Sequence, residues 1–394
     1  MPASPPPRIT ADWLHAPALQ DLLRLLEGAG HQALAVGGCV RNALLGAAVS
    51  DIDIATDARP ERVIALTEAA GLKAVPTGIE HGTVTVIAGG QPHEITTFRR
   101  DVETHGRHAT VAFSTDVTED AARRDFTMNA LYARADGQVL DPLGGMGDLR
   151  ARRVRFVGPP EDRIREDYLR ILRFFRFTAW YGAPDQGPEP EGLAACAALA
   201  EGVEGLSRER LGAEMKKLLA APDPAPAVAA MAAAGVLGRV LPGADPTALA
   251  PLVHLEADAH PDARPDALAR LAVLGGDAPA ERLRLSKAET RRLSQLRAAA
   301  TEGATGPGEL GYRLGAPDAR LAGRLRAALM GMPLPPDWDA AAETGAAARF
   351  PVSARDLMPA FSGPALGQRL ARLERAWIAS GFALDRGALL ALDD

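Results

Sequence analysis

Two aspartates, Asp51 and Asp53, stand one residue apart in Ser50-Asp51-Ile52-Asp53-Ile54-Ala55-Thr56. On a strand, residues i and i+2 face the same side. Both carboxylates would then project together while Ile52 and Ile54 enter a core. Carboxylates held that close repel unless a cation sits between them. Magnesium favours such hard oxygen ligands and combines one or two carboxylates with substrate phosphates. Alone, the pattern also fits a half-exposed strand with two solvated acids. Shortly before it, Gly37-Gly38-Cys39-Val40-Arg41-Asn42 ends an apolar run and opens a helix. Glycines let backbone approach phosphate oxygens, a helix N-terminus favours anions, and Arg41 could add a charge-assisted contact. An ordinary strand–turn–helix corner would read the same way. Arg123-Arg124-Asp125-Phe126-Thr127-Met128-Asn129-Ala130-Leu131 crowds charge and apolar residues, or is simply a helix start capped by Asp125. In Glu166-Asp167-Tyr168-Leu169-Arg170-Ile171-Leu172-Arg173-Phe174-Phe175-Arg176-Phe177, helical spacing puts Asp167 and Arg170 on one face, with Arg173 and Arg176 extending the row. Nine arginines against four acids between Arg150 and Arg176 give a local charge of +5. The bland alternative for Asp167 and Arg170 is a surface i, i+3 ion pair worth a few tenths of a kcal/mol.

The elements that must carry these groups follow from periodicity. Leu19, Leu22, Leu23, Leu25 and Leu26 form one apolar helical stripe. Residues 33–36 read as a buried strand and 40–45 as a short helix stopped by Gly46. Strict alternation makes 51–55 a strand, and Pro60 is a good first residue for a helix ending near Gly71. Two β-rich runs follow at 83–88 and 94–98, and the polar stretch Arg99–Thr115 reads as a mobile loop. From about Leu149 helical periodicity takes over. Residues 162–181 read as one amphipathic helix and 207–219 as another. Residues 220–394 alternate Ala/Leu/Arg helices with Pro/Gly breaks and show no clear strand.

Composition narrows the function classes. The 394 residues suffice for about two to four domains. With 24% charged and 47% apolar residues the chain reads as globular. The strongest apolar run, 227–238, falls short of the roughly 20 residues that span a bilayer, so no membrane span is expected. The Pro-rich start lacks the apolar stretch of a secretory signal. Cys39 and Cys196 cannot build a zinc cage, and a reducing cytoplasm is the expected compartment. The net charge of −6 means that nucleic-acid binding would need a local basic surface. Neither GxxxxGK[ST] nor GxGxxG occurs.

In this order and spacing the motifs resemble the class II tRNA nucleotidyltransferase and bacterial poly(A) polymerase family. The matching stretches are GGxVRN…DxDxAT, RRDFTMNAL and EDxxRxxRxxRF. Ser207, Arg208, Glu209, Arg210 and Glu214, within 206–219, are similar to the family's next neck motif. The resemblance spans about residues 30–220 and is only architectural beyond. Residues 76–84, Pro-Thr-Gly-Ile-Glu-His-Gly-Thr-Val, look like the CCA-adding type, since the bacterial poly(A) polymerases carry an Arg-rich segment there. Asn42 stands where the family usually has Asp, a position that holds the turn more than it does chemistry. No His is followed by Asp, so the phosphohydrolase domain of some relatives is expected to be absent.

The resemblance implies an α+β fold: a polymerase-β-like nucleotidyltransferase head with a mixed sheet at 1–148, a helical base-reading neck at 149–220, and a helical tRNA-binding body and tail at 221–394. It implies template-independent addition of CMP, CMP and AMP from CTP and ATP to the 3′ end of tRNA, with no DNA or membrane partner. Asp51 and Asp53 would hold magnesium, one ion activating the 3′-hydroxyl and another neutralising the leaving pyrophosphate. Glu94 is the candidate third acid, with an edge-strand glutamate as the alternative. Gly38 and Arg41 would contact the triphosphate, and Arg124 and Asp125 the phosphate or ribose. Asp167 and Arg170, with Arg173 and Arg176 in their row, would read the base. Cytosine and adenine each present an amino donor beside a ring-nitrogen acceptor, which suits a carboxylate beside a guanidinium; uracil and guanine reverse both. Switching from C to A would come from reshaping of the pocket, with Arg99–Thr115 as the moving part. The alternatives are a poly(A) polymerase, an A-only or CC-only enzyme, or a non-catalytic RNA-binding or nucleotide-sensing protein. The Asp51/Asp53 pair argues against the last.

Overall fold

The computed structural model describes residues 7–105, 108–259, 264–302 and 305–392. The chain forms two compact units, Met1–Leu218 with Pro226–Val240, and Leu219–Ala225 with Leu241–Asp394. No helix among the described residues is long and apolar enough to cross a membrane.

The first unit carries all the motif residues. Its strands are β1 (Ala33–Val36), β2 (Asp53–Thr56), β3 (Lys73–Gly78), β4 (Thr83–Ala88), β5 (Gln91–Thr97), β6 (Arg99–His105), β7 (His108–Phe113), β8 (Tyr132–Ala133) and β9 (Val139–Leu140). Its helices are α1 (Pro17–Gly28), α2 (Gly38–Leu44), α3 (Pro60–Ala69), α4 (Val117–Ala122), α5 (Gly145–Arg150), α6 (Pro160–Glu166), α7 (Leu169–Tyr181), α8 (Pro190–Ala198) and α9 (Arg208–Leu219), followed by short helices at 225–233 and 236–240. One seven-stranded sheet runs β3-β4-β5-β2-β1-β8-β9. β2 and β5 pair in parallel, and the other neighbours are antiparallel. β1 is buried along its whole length, whereas β4 alternates between buried and half-buried residues. Leu34, Val36, Ala55, Phe98, Ala130 and Tyr132 form the core of this sheet.

An aromatic cluster joins sheet and neck. Phe126 lies 5.0 Å from Phe156 and 4.9 Å from Phe177, and Phe156 stacks on Phe174 at 5.5 Å. This explains the crowded Arg-Arg-Asp-Phe stretch: Phe126 is the anchor, and the charges beside it are held at the rim of the core. On α7, Ile171, Leu172, Phe174 and Phe175 are buried, so Arg170, Arg173 and Arg176 share the remaining face.

Three expectations need correction. The strand expected at 51–55 begins only at Asp53; Asp51 precedes it, is exposed, and accepts a hydrogen bond from the Ser50 hydroxyl at 2.9 Å. The alternation argument therefore applies to Asp53 and not to Asp51. The stretch Arg99–Thr115 is not a loop but the antiparallel hairpin β6–β7, with 106–107 outside the described residues. Its β-branched Val102, Thr104, Thr110 and Val111 favour strand despite the surrounding charge. The single helix expected over 162–181 is two helices broken at Asp167-Tyr168. Asp167 leaves the helical region (φ −155°, ψ 106°), and its Oδ1 accepts the Leu169 amide at 3.1 Å. Tyr168 lies over Gly202, where an added Cβ would sit 1.9 Å from the ring.

The second unit is helical; no strand follows Leu140 among the described residues. One core of Leu310, Ala319, Ala322, Trp338 and Ala342 is built mainly from small residues that let helices approach closely. A second gathers Val352, Leu357, Leu373, Trp377 and Leu389. Buried Arg270 donates to the carbonyls of Leu219, Ala221 and Pro222 and pairs with Glu256 at 2.8 Å, tying down the segment that enters this unit.

Candidate active site

The sheet register brings the acids together. β2 and β5 run parallel with Asp53 beside Glu94. In-register neighbours on adjacent strands present their side chains on the same side of the sheet. Burial pushes the Asp53 pKa up, the Glu94 charge adds to that, Arg124 pulls it back, and Asp51 raises it further. Glu94, deduced only as an acid on a neighbouring strand, thus shares the electrostatics of Asp53. Among the described residues no three His, Cys, Asp or Glu side chains are close enough to form a finished metal site. The donor set is nevertheless one of hard oxygens whose mutual repulsion a divalent cation would relieve.

Beside β2, β1 ends in the glycine turn. Gly37 has φ 72°, a left-handed conformation that glycine adopts without strain. A Cβ there would lie 3.3 Å from Nη1 of Arg124. Arg124 therefore lies against the turn, and its charge acts on Asp53. Its Nη2 donates to Asp120 at 3.0 Å and its Nε to the Tyr132 hydroxyl at 3.1 Å. Burial opposes its charge, but Tyr132 and Asp120 outweigh that and raise its pKa.

Arg41 occupies a different setting from the one its motif suggests. It is buried, with Nε and Nη2 donating to Asn42 Oδ1, Nη1 to Asn129 Oδ1, and Nη2 to the Tyr181 hydroxyl at 2.8 Å. Its guanidinium lies 4.0 Å from the Tyr181 ring centroid. Burial lowers its pKa. In this conformation Arg41 bolts α2 to α7, with four of its five N–H groups given to Asn42, Asn129 and Tyr181 and one left on Nη1. Gly38 lies over it, with a notional Cβ 3.7 Å from Nη2. Asn42 donates to the Ala48 carbonyl at 2.7 Å and so closes the corner after α2.

Asp125, Asp167 and the arginines of α7 are each held in an ion pair. Asp125 accepts Arg173 Nε at 2.8 Å, Asn129 Nδ2 at 2.9 Å and the Phe126 amide at 2.9 Å. Burial would raise its pKa, but Arg173 and these donors hold it at about 2. Arg176 pairs with buried Glu214 at 2.6 Å, Arg170 with Glu166 at 2.5 Å, and Asp167 with Arg210 at 2.6 Å. Asp167 and Arg170 are thus not an ion pair. Three N–H groups of Arg170 are used, on Glu166 and on the carbonyls of Arg163 and Arg123, which leaves two of five. Asp167 lines a cavity of about 510 Å3 with Tyr168, Gly202, Gly205, Leu206 and Arg210. For the arginine row the sequence offered only the alternative Asp167–Arg170 pair, which the structure replaces with Glu166 on Arg170 and Arg210 on Asp167. Glu166 at i−4 from Arg170 was the one legible pair; Asp125 and Glu214 are distant in sequence and carry no local signal.

Residues 33–155, which hold the glycine turn, Asp51, Asp53, Glu94, Arg124 and Asp125, match the poly A polymerase head domain. Residues 188–247 match the segment described as a probable RNA and SrmB-binding site of polymerase A. Over these two segments the chain is similar to the tRNA nucleotidyltransferase and poly(A) polymerase family. Among relatives in this family, human mitochondrial CCA tRNA nucleotidyltransferase 1 is 43% identical over 210 residues, 52% of this chain and 48% of that protein. The CCA-adding enzyme of Geobacillus thermodenitrificans is 40% identical over 224 residues, 56% and 54% of the two chains. The chain spans about half the length of the curated relatives it matches. The solved CCA-adding enzyme of Bacillus stearothermophilus in complex with CTP is similar over 92% of both chains, at 29% identity and a TM-score of 0.74. The family's mixed-sheet head followed by helices is the architecture seen here. Residues Asp167–Arg176, at the start of α7 and just before it, fall between the two matched segments.

Proposed function

We propose that this chain is a cytoplasmic CCA-adding tRNA nucleotidyltransferase, joining CMP, CMP and AMP from CTP and ATP to the 3′ end of tRNA and releasing pyrophosphate. The observation that carries the reading is the in-register placement of Asp53 beside Glu94, with Arg124 against the glycine turn and its charge acting on Asp53. The CCA-adding relatives support the choice of substrates. Asp51 and Asp53, with Glu94 beside them, would hold magnesium, which when bound lowers the pKa of the attacking hydroxyl and neutralises the leaving pyrophosphate.

The chain's own groups supply the rest. Gly37 and Gly38 leave room for triphosphate oxygens, and Arg124 puts a fixed positive charge there. Arg41 would offer the triphosphate its remaining Nη1 N–H, and Asp125 steadies Arg173. Arg173 and Arg176 keep N–H groups beyond those given to Asp125 and Glu214. Asp167 accepts from the exocyclic amino group of cytosine or adenine, and Arg170 donates one of its two remaining N–H groups to the ring nitrogen. Uracil or guanine would set acceptor against carboxylate and donor against guanidinium, and an unpaired buried charge is costly enough to reject both. The helical second unit would hold tRNA by shape and phosphate contacts.

The test is to compare turnover with binding in Asp51→Ala and Asp53→Ala. Both should lose nucleotide addition while tRNA retention on a filter stays at the wild-type level. Addition within tenfold of wild type in either variant would remove the metal assignment.

A further inference from the structure

We propose that Asp120 is a positioning residue for nucleotide binding: it fixes the Arg123-Arg124 pair so that Arg124 faces the glycine turn and the Arg123 carbonyl meets Arg170. The proposal rests on the nucleotidyl-transfer reading above and adds to it a residue that touches no substrate. Asp120 sits at the C-terminal half of α4 with 1% of its surface exposed. Its two oxygens divide the work. Oδ1 takes Arg123, with Nε at 2.8 Å and Nη2 at 2.7 Å. Oδ2 takes Arg124, with Nη2 at 3.0 Å, and the Tyr132 hydroxyl at 2.7 Å. Tyr132 closes the triangle by accepting Arg124 Nε at 3.1 Å, and its ring lies 5.3 Å from that guanidinium.

With Nε and Nη2 so engaged, Arg124 has its Nη1 against Gly37. A planar guanidinium held along one edge has its opposite nitrogen fixed in direction. The other arm of the carboxylate holds Arg123, whose carbonyl accepts Nη2 of Arg170 at 3.3 Å. One buried carboxylate therefore stands behind both the arginine at the phosphate turn and the arginine at the base. Burial would raise the Asp120 pKa, yet Arg124, Arg123 and the Tyr132 hydroxyl hold it at about 2, so it stays charged throughout the working range.

The test compares CTP with CMP, each in magnesium, by titration calorimetry on the full chain. Asp120→Asn and Tyr132→Phe are the variants, with melting temperature as the check on folding. Tyr132→Phe removes one hydroxyl, keeps the ring and leaves Arg123 on Asp120, so it loosens Arg124 alone: CTP should weaken by about tenfold, the scale of a charge-assisted hydrogen bond, and CMP should stay within twofold. Asp120→Asn loosens Arg123 as well and should weaken both nucleotides, CTP the more. Unchanged CTP affinity in Tyr132→Phe, or equal loss for CTP and CMP in that variant, would overturn the proposal. A wild-type chain that binds CTP through Asp120 but extends no tRNA would sink the function proposed above and uphold this inference.

Discussion

Replacing Arg173 with Met removes the charge that faces Asp125 and keeps most of the aliphatic stem. Asp125 would remain buried with only Asn129 and the Phe126 amide as donors. Breaking a buried pair costs about 3–5 kcal/mol. Arg173 is 31% exposed, so water recovers part of that, and roughly 2 kcal/mol is expected at neutral pH. Linkage gives a similar size: a carboxyl lowered from 3.8 to about 2 contributes about 2 kcal/mol. Because the folded pKa is the lower one, this stability is present above the ordinary value of 3.8 and is lost as pH falls through about 2. In the variant burial acts without Arg173, the Asp125 pKa rises, and the contribution disappears. The gap between wild type and variant should therefore be widest near pH 7, about half as wide near pH 3, and small near pH 2. Urea unfolding followed by tryptophan fluorescence measures it, with hydrogen exchange assigning the transition to the first unit. A gap that stays constant from pH 7 to pH 3 would show lost packing rather than lost charge pairing and refute the reasoning.

Asp167→Ala should slow CTP and ATP use together and weaken rejection of UTP and GTP, read as kcat/KM for the four nucleotides; full speed with full selectivity would place base reading elsewhere. Gly202→Val should drive a side chain into Tyr168 and lower the melting temperature, whereas an unchanged melting temperature would mean that Tyr168 moves aside freely. Affinity for tRNA should fall steeply with added salt, because phosphate contacts dominate such binding; a flat salt response would contradict that view of the interface.

The sheet is legible where periodicity is strong. Residues 33–36 and 83–88 are strands at the expected bounds, and α3 starts at Pro60 as expected. The two-residue strands β8 and β9 leave no periodic trace. β6 and β7 hide beneath charge, because a two-stranded ribbon needs no apolar face to read as strand. The break between α6 and α7 is invisible to a helical wheel: Asp167 is a modest helix residue, and what ends the helix is its bond to the Leu169 amide and the place Gly202 makes for Tyr168. Asp51, Asp53 and the glycine turn announce themselves by residue type and spacing. The partners of Arg173 and Arg176 do not, since Asp125 and Glu214 reach them only through the tertiary fold. Arg41 shows the limit most clearly, because its motif suggests an open phosphate contact and the folded chain surrounds it with Asn42, Asn129 and Tyr181.

The central claim is met most directly by offering the full chain a tRNA that lacks its 3′ end, with the four nucleoside triphosphates singly and in pairs, and sizing the products. CTP with ATP should give a sharp product three nucleotides longer, CTP alone one two nucleotides longer, and UTP or GTP none. A long ladder from ATP alone would contradict CCA addition and establish a poly(A) polymerase instead.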